Sequence, residues 1–150
     1  MDDTTRNRIR HIFLSPRPHF ALIRAAELLG MTFSELKREI KVGAIVAVRT
    51  SLGMRVAREE MVAAALRLWE QAVVEEALGA EAAAVLPEAI RLVELRARIP
   101  RYQRDMLHYL AARDATTVDH VLARELEDVA CEYSEELAES VPGFAATLAF

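Results

Sequence analysis

Five arginines lie between positions 91 and 104, with Glu94 as the one acid among them. Within this basic island, the stretch VELRARI (93–99, the ribbon segment) alternates apolar and charged residues. In a strand this alternation places Glu94, Arg96 and Arg98 on one side. An exposed guanidinium can donate two hydrogen bonds to O6 and N7 of guanine in the major groove. The segment therefore predicts a DNA-reading ribbon, and the simpler alternative is that its charges only keep an exposed strand soluble.

Residue types that carry catalysis or hold metals are scattered along the chain. The four histidines share no metal-type spacing with Cys131, and acidic pairs such as Glu75-Glu76 fit solvated helix faces. The sequence contains neither a glycine-rich phosphate loop nor a nucleophile elbow. We therefore expect no enzymatic activity, no catalytic residue, no metal site and no cofactor.

The charges of the chain are segregated. The net charge is −4, but residues 1–56 carry +5 and residues 57–150 carry −9. Between Glu125 and Glu139 there are seven carboxylates and no basic side chain. This distribution predicts separate basic and acidic surfaces, and a basic surface attracts polyanions such as DNA.

The composition is typical of a folded protein from a reducing compartment. Of the 150 residues, 53% are apolar and 28% are charged, and the only cysteine, Cys131, cannot form an intrachain disulfide. The most apolar stretch (61–69) is interrupted by Arg67 and is shorter than the roughly 18 residues that span a membrane. The N-terminal residues lack the apolar core of a signal peptide. We expect a cytoplasmic protein that contacts no membrane.

Residues 20–61 have the pattern of a helix, a turn, a second helix and a hairpin. The motif AAELLG (25–30) ends the first helix at a glycine. Thr32 and Glu35 have the spacing of a capping box at the start of the second helix. Short apolar stretches on either side of the turn at 51–53 predict the hairpin.

This order resembles the winged helix-turn-helix domains of the excisionase-like and MerR-like type, in its AAELLG motif and its Gly-x-Ile step at 43–45. The resemblance implies that the second helix enters the major groove and that the hairpin, or wing, touches the DNA backbone. The residues implied to face DNA are Thr32, Phe33, Ser34, Lys37, Arg38 and Lys41 on the helix, and Arg49 and Arg55 on the wing. Winged domains also serve as protein-binding modules, so a protein partner is the alternative.

The segments around this domain are predicted from composition and punctuation. Residues 1–19 are predicted to be a partly ordered lead-in, and residues 58–78 a long helix that belongs to the winged domain, which then spans 20–78. Residues 79–90, which contain glycine and proline, are predicted to be a linker.

Two helices are predicted after the ribbon segment. Pro100 suits the first turn of a helix that continues through Leu110. Thr116 or Thr117 caps the next helix, whose apolar stripe begins at Val118. A lone strand has unpaired backbone on both edges, and two helices cannot bury their faces against it. We therefore predict that the strand pairs antiparallel with its twin, which makes the protein a homodimer or a higher oligomer.

A strand, a helix and a capped helix between residues 92 and 131 resemble the ribbon-helix-helix fold of the Arc and MetJ repressors and of many antitoxins. The resemblance implies that Glu94, Arg96 and Arg98 read bases in the major groove. Ala115 departs from the family, whose members usually have glycine or asparagine with positive φ at this position, so this turn is predicted to be either strained or shifted. Phosphate contacts are implied at the start of the second helix and at flanking arginines, namely Arg91, Arg101, Thr116, Thr117 and Val118.

The pairing of the two strands has an electrostatic consequence. If the strands cross at Arg96, Glu94 lies opposite Arg98 of the second copy, which is a favourable pair. Arg96 then lies opposite its own twin, an arrangement that is favourable only beside an anion.

The predicted fold is therefore mainly α with short β strands (α+β), with a winged domain at 20–78 and a ribbon-helix-helix domain at 91–132. Residues 133–150 are predicted to be an acidic helix extension with an apolar tail, which either folds back over the core or offers a partner an apolar surface. The resemblance to antitoxins implies a toxin-like protein as that partner.

These features favour a dimeric, sequence-specific transcriptional regulator that binds double-stranded DNA. One alternative is an antitoxin-type protein that neutralises a partner protein and regulates its own gene. Another is a dimeric scaffold that binds no DNA.

Overall fold

The computed structural model describes residues 1–147. The chain divides into two compact units, Met1–Leu92 and Val93–Ala146. The described residues are mainly helical and contain one three-stranded antiparallel sheet, which confirms the broad α+β class. Among the described helices, none combines the length and the apolar character that crossing a membrane requires.

The first unit contains the helix, turn, helix and hairpin predicted for residues 20–61. Gly30 ends the first of these helices in left-handed backbone (φ 72°), and the next N–H, of Met31, donates to the Ala26 carbonyl at 3.0 Å. The elements of this unit are α1 (Asp3–Leu14), β1 (His19–Ala21), α2 (Leu22–Leu29), α3 (Phe33–Val42), β2 (Ala47–Thr50), β3 (Gly53–Ala57), α4 (Arg58–Leu68), α5 (Gln71–Leu78) and α6 (Ala82–Val85), with 3-10 turns at Gly79–Glu81 and Glu88–Ile90.

The sheet has the order β1-β3-β2, with β3 antiparallel to both neighbours. Phe20 of β1 and Ala47 of β2 both lie opposite Val56 of β3. Phe20 and Val56 are buried, so one face of the sheet covers the helices. Because side chains alternate along a strand, Arg55 lies on the opposite face from Val56.

The N-terminal segment is part of the core, which corrects the prediction of a partly ordered lead-in over residues 1–19. Ile9, Ile12 and Phe13 on one side of α1 are buried in the main cluster of apolar side chains. The guanidinium of Arg58 donates to the Phe13 carbonyl at 2.5 Å. Burial of three large side chains against α2, α4 and α5 explains why this short helix is ordered.

The predicted long helix over residues 58–78 is two helices. The backbone is extended at Trp69 (φ −120°, ψ 137°), and α5 starts two residues later. Arg10 of α1 donates to the Ala77 and Leu78 carbonyls at 3.2 and 3.3 Å, which satisfies the last carbonyls of α5. The extended backbone at Trp69 thus separates α4 from α5, and α5 packs on α1.

Residues 79–90 are not an open linker, which corrects that prediction as well. They form two 3-10 turns and α6, and Leu86 is buried in the core of the first unit. The N–H of Leu92 donates to Glu75 Oε1 at 2.6 Å. Apolar burial and this bond hold the segment to the first unit, and the boundary between the units follows Leu92.

The second unit is built from a pair of helices. Leu107 and Ala111 pack against Val121 across the pair, with Leu110 and Val118 partly buried beside them. After the pair the chain forms two short helices, and residues 148–150 of the predicted apolar tail lie outside the described residues. The helices after Leu92 are α7 (Arg101–Arg113), α8 (Val118–Glu132), α9 (Ser134–Ser140) and α10 (Phe144–Thr147).

The ribbon segment forms neither helix nor strand in the single chain. Pro100 is the N-cap of α7 and not its first helical residue, and its carbonyl accepts from the Gln103 N–H at 3.1 Å. A two-stranded ribbon needs the second copy, so the predicted strand stays a prediction.

Candidate nucleic-acid interface

The start of α3 is fixed by the capping box that the sequence predicts. Thr32 Oγ1 accepts from the Glu35 N–H at 3.2 Å, and Glu35 Oε2 accepts from the Thr32 N–H at 2.6 Å. Leu36 is buried and anchors the helix to the core. These contacts fix which face of α3 is turned to solvent.

All the residues of α3 and its cap that are predicted to face DNA are exposed to solvent. We call them the α3 surface: Thr32, Phe33, Ser34, Lys37, Arg38 and Lys41. The Lys37 ammonium lies 4.6 Å from the centroid of the Phe33 ring. Among the described residues, no carboxylate lies within ion-pair distance of Lys37 or Lys41, so both charges are available to an anion.

The two carboxylates of α3 are occupied by local contacts. Hydrogen bonds from the backbone and side chain of Thr32 lower the pKa of Glu35 below its usual value. Glu39 accepts from Nε and Nη2 of Arg38, each at 3.3 Å. The surface therefore keeps a local excess of positive charge although two acids lie on the same helix.

The wing arginines do not share a face of the sheet. Arg49 lies opposite Met54, whereas Arg55 lies opposite Val48 in the next pair. Adjacent pairs alternate between faces, so Arg49 lies on the helix-covered side and Arg55 on the other. Arg55 is half-buried, and its Nε is buried without a hydrogen-bond partner among the described groups. Arg49 is exposed, so the two predicted wing contacts differ both in face and in exposure.

The ribbon segment exposes both its charged and its apolar residues. Val93 and Leu95 are 85% and 68% exposed. Arg96 Nε donates to Glu94 Oε1 at 3.1 Å, and both side chains are exposed. A contact between residues two apart agrees with the predicted placement of the charged residues on one side.

The turn between α7 and α8 is held by an ion-pair cluster that the sequence pattern does not indicate. Asp114 accepts from Arg113 Nε at 2.6 Å and from Arg124 Nη1 at 3.2 Å. The hydrogen bonds from Arg113 and Arg124 lower the pKa of Asp114 to about 2. Arg124 is ten residues away in the sequence, so only the packing of α8 on α7 brings it to this carboxylate. Ala115 follows in left-handed backbone, with φ 52°.

The predicted phosphate-binding residues are only partly together. Thr117 is the N-cap of α8, and its hydroxyl oxygen accepts from the His120 N–H at 3.1 Å. The Thr116 N–H donates to the Ala111 carbonyl at 2.9 Å, so it is engaged in the turn and is not free for a phosphate. The Val118 N–H, in the first turn of α8, remains at the helix N-terminus.

The two flanking arginines belong to different units. Arg91 lies in the first unit, where its guanidinium is 3.8 Å from Glu88. Arg101 begins α7 in the second unit and is largely exposed, 3.6 Å from Asp105. The second unit therefore starts two residues later than the predicted domain at 91–132.

An apolar surface of the second unit is uncovered in the single chain. On α7, Tyr102, Met106 and Tyr109 are exposed at helical spacing, and on α8 Leu126 and Val129 are about half exposed. Leu126 and Val129 belong to the apolar stripe of α8 that begins at Val118 and that the sequence predicts to be buried. A second surface is needed to bury them.

Comparisons of the chain with protein-family models, with curated proteins and with solved structures found no match. Among the described residues, no three His, Cys, Asp or Glu side chains are grouped as a metal site would require. The function of these surfaces must therefore be inferred from their own residues.

Proposed function

We propose that the protein is a dimeric, sequence-specific DNA-binding transcriptional regulator. The observation that carries this proposal is the ribbon segment, which forms no strand within the described residues of the single chain and precedes two packed helices with uncovered apolar side chains. A strand followed by two helices is the order of the ribbon-helix-helix fold, in which two copies build one DNA-reading ribbon.

A second copy of the chain is the partner that fits this surface. Antiparallel pairing of two ribbon segments would give each strand a hydrogen-bonded neighbour and turn Val93, Leu95 and Ile99 of both copies to one side. The uncovered side chains of α8 would then meet those of the second copy. A core of three buried residues is too small for an independently stable fold, so dimerisation supplies the missing burial.

Pairing would release Arg96 for DNA. In the single chain Glu94 is bonded to Arg96 at 3.1 Å. If the strands cross at Arg96, Glu94 meets Arg98 of the second copy, and the two Arg96 side chains lie beside each other. Guanine supplies two acceptors to such a guanidinium, and a bidentate contact gives about 1–3 kcal/mol of discrimination.

The first unit supports a second DNA contact. Its α3 surface follows a tight turn and carries two lysines, Lys37 and Lys41, that have no ion-pair partner among the described residues, and the wing lies after it in the chain. A chain that carries two DNA-binding units gains affinity from effective concentration when both dock at once.

The test is fluorescence anisotropy with the duplex upstream of the gene and a scrambled duplex, each at several salt concentrations. The wild-type protein should prefer the upstream duplex, and affinity should fall as salt rises. Arg96→Ala/Arg98→Ala should lose the preference while remaining dimeric, because both side chains are exposed and make no core contact.

The matched control is Arg6→Ala/Arg17→Ala, which removes the same charge from the first unit outside the predicted DNA-facing residues. It should keep the preference. If the ribbon variant binds as the control does, the ribbon does not read bases, and the α3 surface becomes the candidate reader. Absence of binding by the wild type at low salt would contradict the proposal and favour the antitoxin-type or scaffold function, with a protein partner sought through residues 133–150.

A further inference from the structure

Phe33 is exposed at the point of α3 where a DNA-reading helix first meets base edges. It is the first helical residue after the Thr32 cap, and it is 39% exposed. Residues near the N-terminus of a recognition helix are those that contact bases. A large apolar side chain in this position is unusual for a surface that otherwise carries hydroxyl and basic groups.

The fold does not need the Phe33 ring. The apolar residues before and after the cap are Met31, which packs against the core, and Leu36, which is buried. Positions one before the cap and four after it are those that form a hydrophobic staple. The cap itself is completed by Thr32 and Glu35. Helix start, entry angle and core packing are therefore supplied by other residues.

The ring is held beside a cation. The Lys37 ammonium is 4.6 Å from the ring centroid, one helical turn further along α3. A cation over one ring face favours a defined ring position, and the exposed part of Phe33 stays open to a ligand. The apolar ring could contact the edge of a base, while the ammonium beside it attracts the nearby phosphates.

We propose that Phe33 is a specificity-determining residue that contacts the C5-methyl group of a thymine in the major groove. Phenylalanine is among the side chains that make apolar contact with this methyl group, and among the four bases thymine alone presents it there. Lys37 is a positioning residue for the ring. The inference rests on the proposed DNA binding and deepens it, because it names a base that the half-site of the first unit must contain.

The experiment uses the full chain and a duplex that the wild type selects from a random-sequence pool. Thymines of this duplex are replaced one at a time by uracil, which removes only the methyl group. At one position, uracil should weaken wild-type binding about fourfold, the value of one buried methyl group. Phe33→Ala should bind the thymine and uracil forms of that position equally.

Two controls separate this contact from general effects. Lys41→Ala lies on the same exposed surface, and it should weaken both forms equally while keeping their ratio. Arg96→Ala/Arg98→Ala should also keep the ratio, because its substitutions are in the other unit. Circular dichroism should show unchanged helix content for Phe33→Ala, since the cap and Leu36 are intact.

The outcomes are distinct. Binding by the wild type with no uracil-sensitive position overturns the inference and leaves the proposed function standing. The same holds if Phe33→Ala keeps the full thymine preference, because the methyl group is then read by another residue. If the wild type selects no duplex even at low salt, the proposed function fails, and this inference fails with it.

Discussion

At the residue scale, Ala115 combines a strained backbone with a structural task. Among the described residues it is the only one other than glycine with positive φ, at 52°. It connects α7 to α8, and its neighbour Asp114 holds the turn through Arg113 and Arg124. The Cβ atom of an L-residue in left-handed backbone costs about 1–2 kcal/mol. The ion-pair cluster and the helix packing must offset this cost.

Ala115→Gly should therefore raise the free energy of unfolding of the second unit by about 1 kcal/mol, because glycine removes the Cβ conflict. The measurement is denaturant unfolding followed by circular dichroism, with Trp69 fluorescence reporting the first unit separately. Ala123→Gly, at an exposed position inside α8, is the control and should lower stability by about 1 kcal/mol. Equal destabilisation by both variants would show that the left-handed turn carries no strain.

At the element scale, α1 contributes a partly buried histidine to the core of the first unit. The His11 ring lies 6.2 Å from the Phe20 ring, and its Nε2 is buried without a hydrogen-bond partner in the described chain. Burial, followed by the charges of Arg24 and Arg17, lowers the pKa of His11 below its ordinary value of 6.5. The neutral imidazole is thus the form that fits between α1 and the sheet.

This burial makes the docking of α1 dependent on pH. Because the pKa is lower in the folded than in the unfolded chain, the unfolded chain binds protons first as the pH falls. The contribution of neutral His11 to the stability of the folded chain should be complete above pH 6.5 and should be lost progressively below it. Thermal unfolding followed by Trp69 fluorescence should show this loss for the wild type, and His11→Gln should flatten it. His108→Gln, at an exposed position in the other unit, should leave the pH dependence unchanged; an identical effect of both variants would contradict this account.

Elements with strong local signals could be predicted from the sequence. Gly30 ended α2, Thr32 and Glu35 formed the capping box, and Thr117 capped α8, because each signal acts within one turn of the chain. The end of α4 and the start of α5 could not be predicted, since Trp69 is neither glycine nor proline. A helix can end at such a residue when packing further along the chain requires it.

The sequence did not predict α1, because contacts with residues far along the chain hold this helix in place. In α1, Ile9 is separated from Ile12 and Phe13 by Arg10 and His11, so the apolar pattern is weak. Their burial against α4 and α5 is visible only in three dimensions. The candidate interface shows the same limit. The start of α3 could be derived from the local pattern, but the placement of Arg49 and Arg55 on opposite faces needed the strand register.

At the scale of the whole molecule, the two units differ in how much of their apolar surface they cover. The first unit buries residues from α1 to α6 in one cluster. Among its described residues, the second buries three in its cluster and leaves apolar side chains of the ribbon segment, α7 and α8 in solvent. Uncovered surface of this kind marks an interaction site. Under the proposed function, the second copy covers it.

Leu95 distinguishes a dimer from a stable monomer. If the chain worked alone, replacing this 68% exposed residue should change stability by no more than about 0.5 kcal/mol. In the proposed dimer its side chain is buried between two copies, so Leu95→Ser should shift the protein to monomers in sedimentation equilibrium. It should also lower the melting temperature of the second unit, which should rise with protein concentration in the wild type.

Leu52→Ser is the matched control, because Leu52 is a leucine of similar exposure (76%) at the tip of the wing. This substitution should change neither mass nor melting temperature. The two leucines differ in one respect that matters here. Both are exposed in the single chain, but only Leu95 lies in the ribbon segment, where it alternates with charged residues. If Leu95→Ser and Leu52→Ser behave alike, with a melting temperature independent of concentration, the ribbon segment does not pair with its twin and the dimeric reader is wrong.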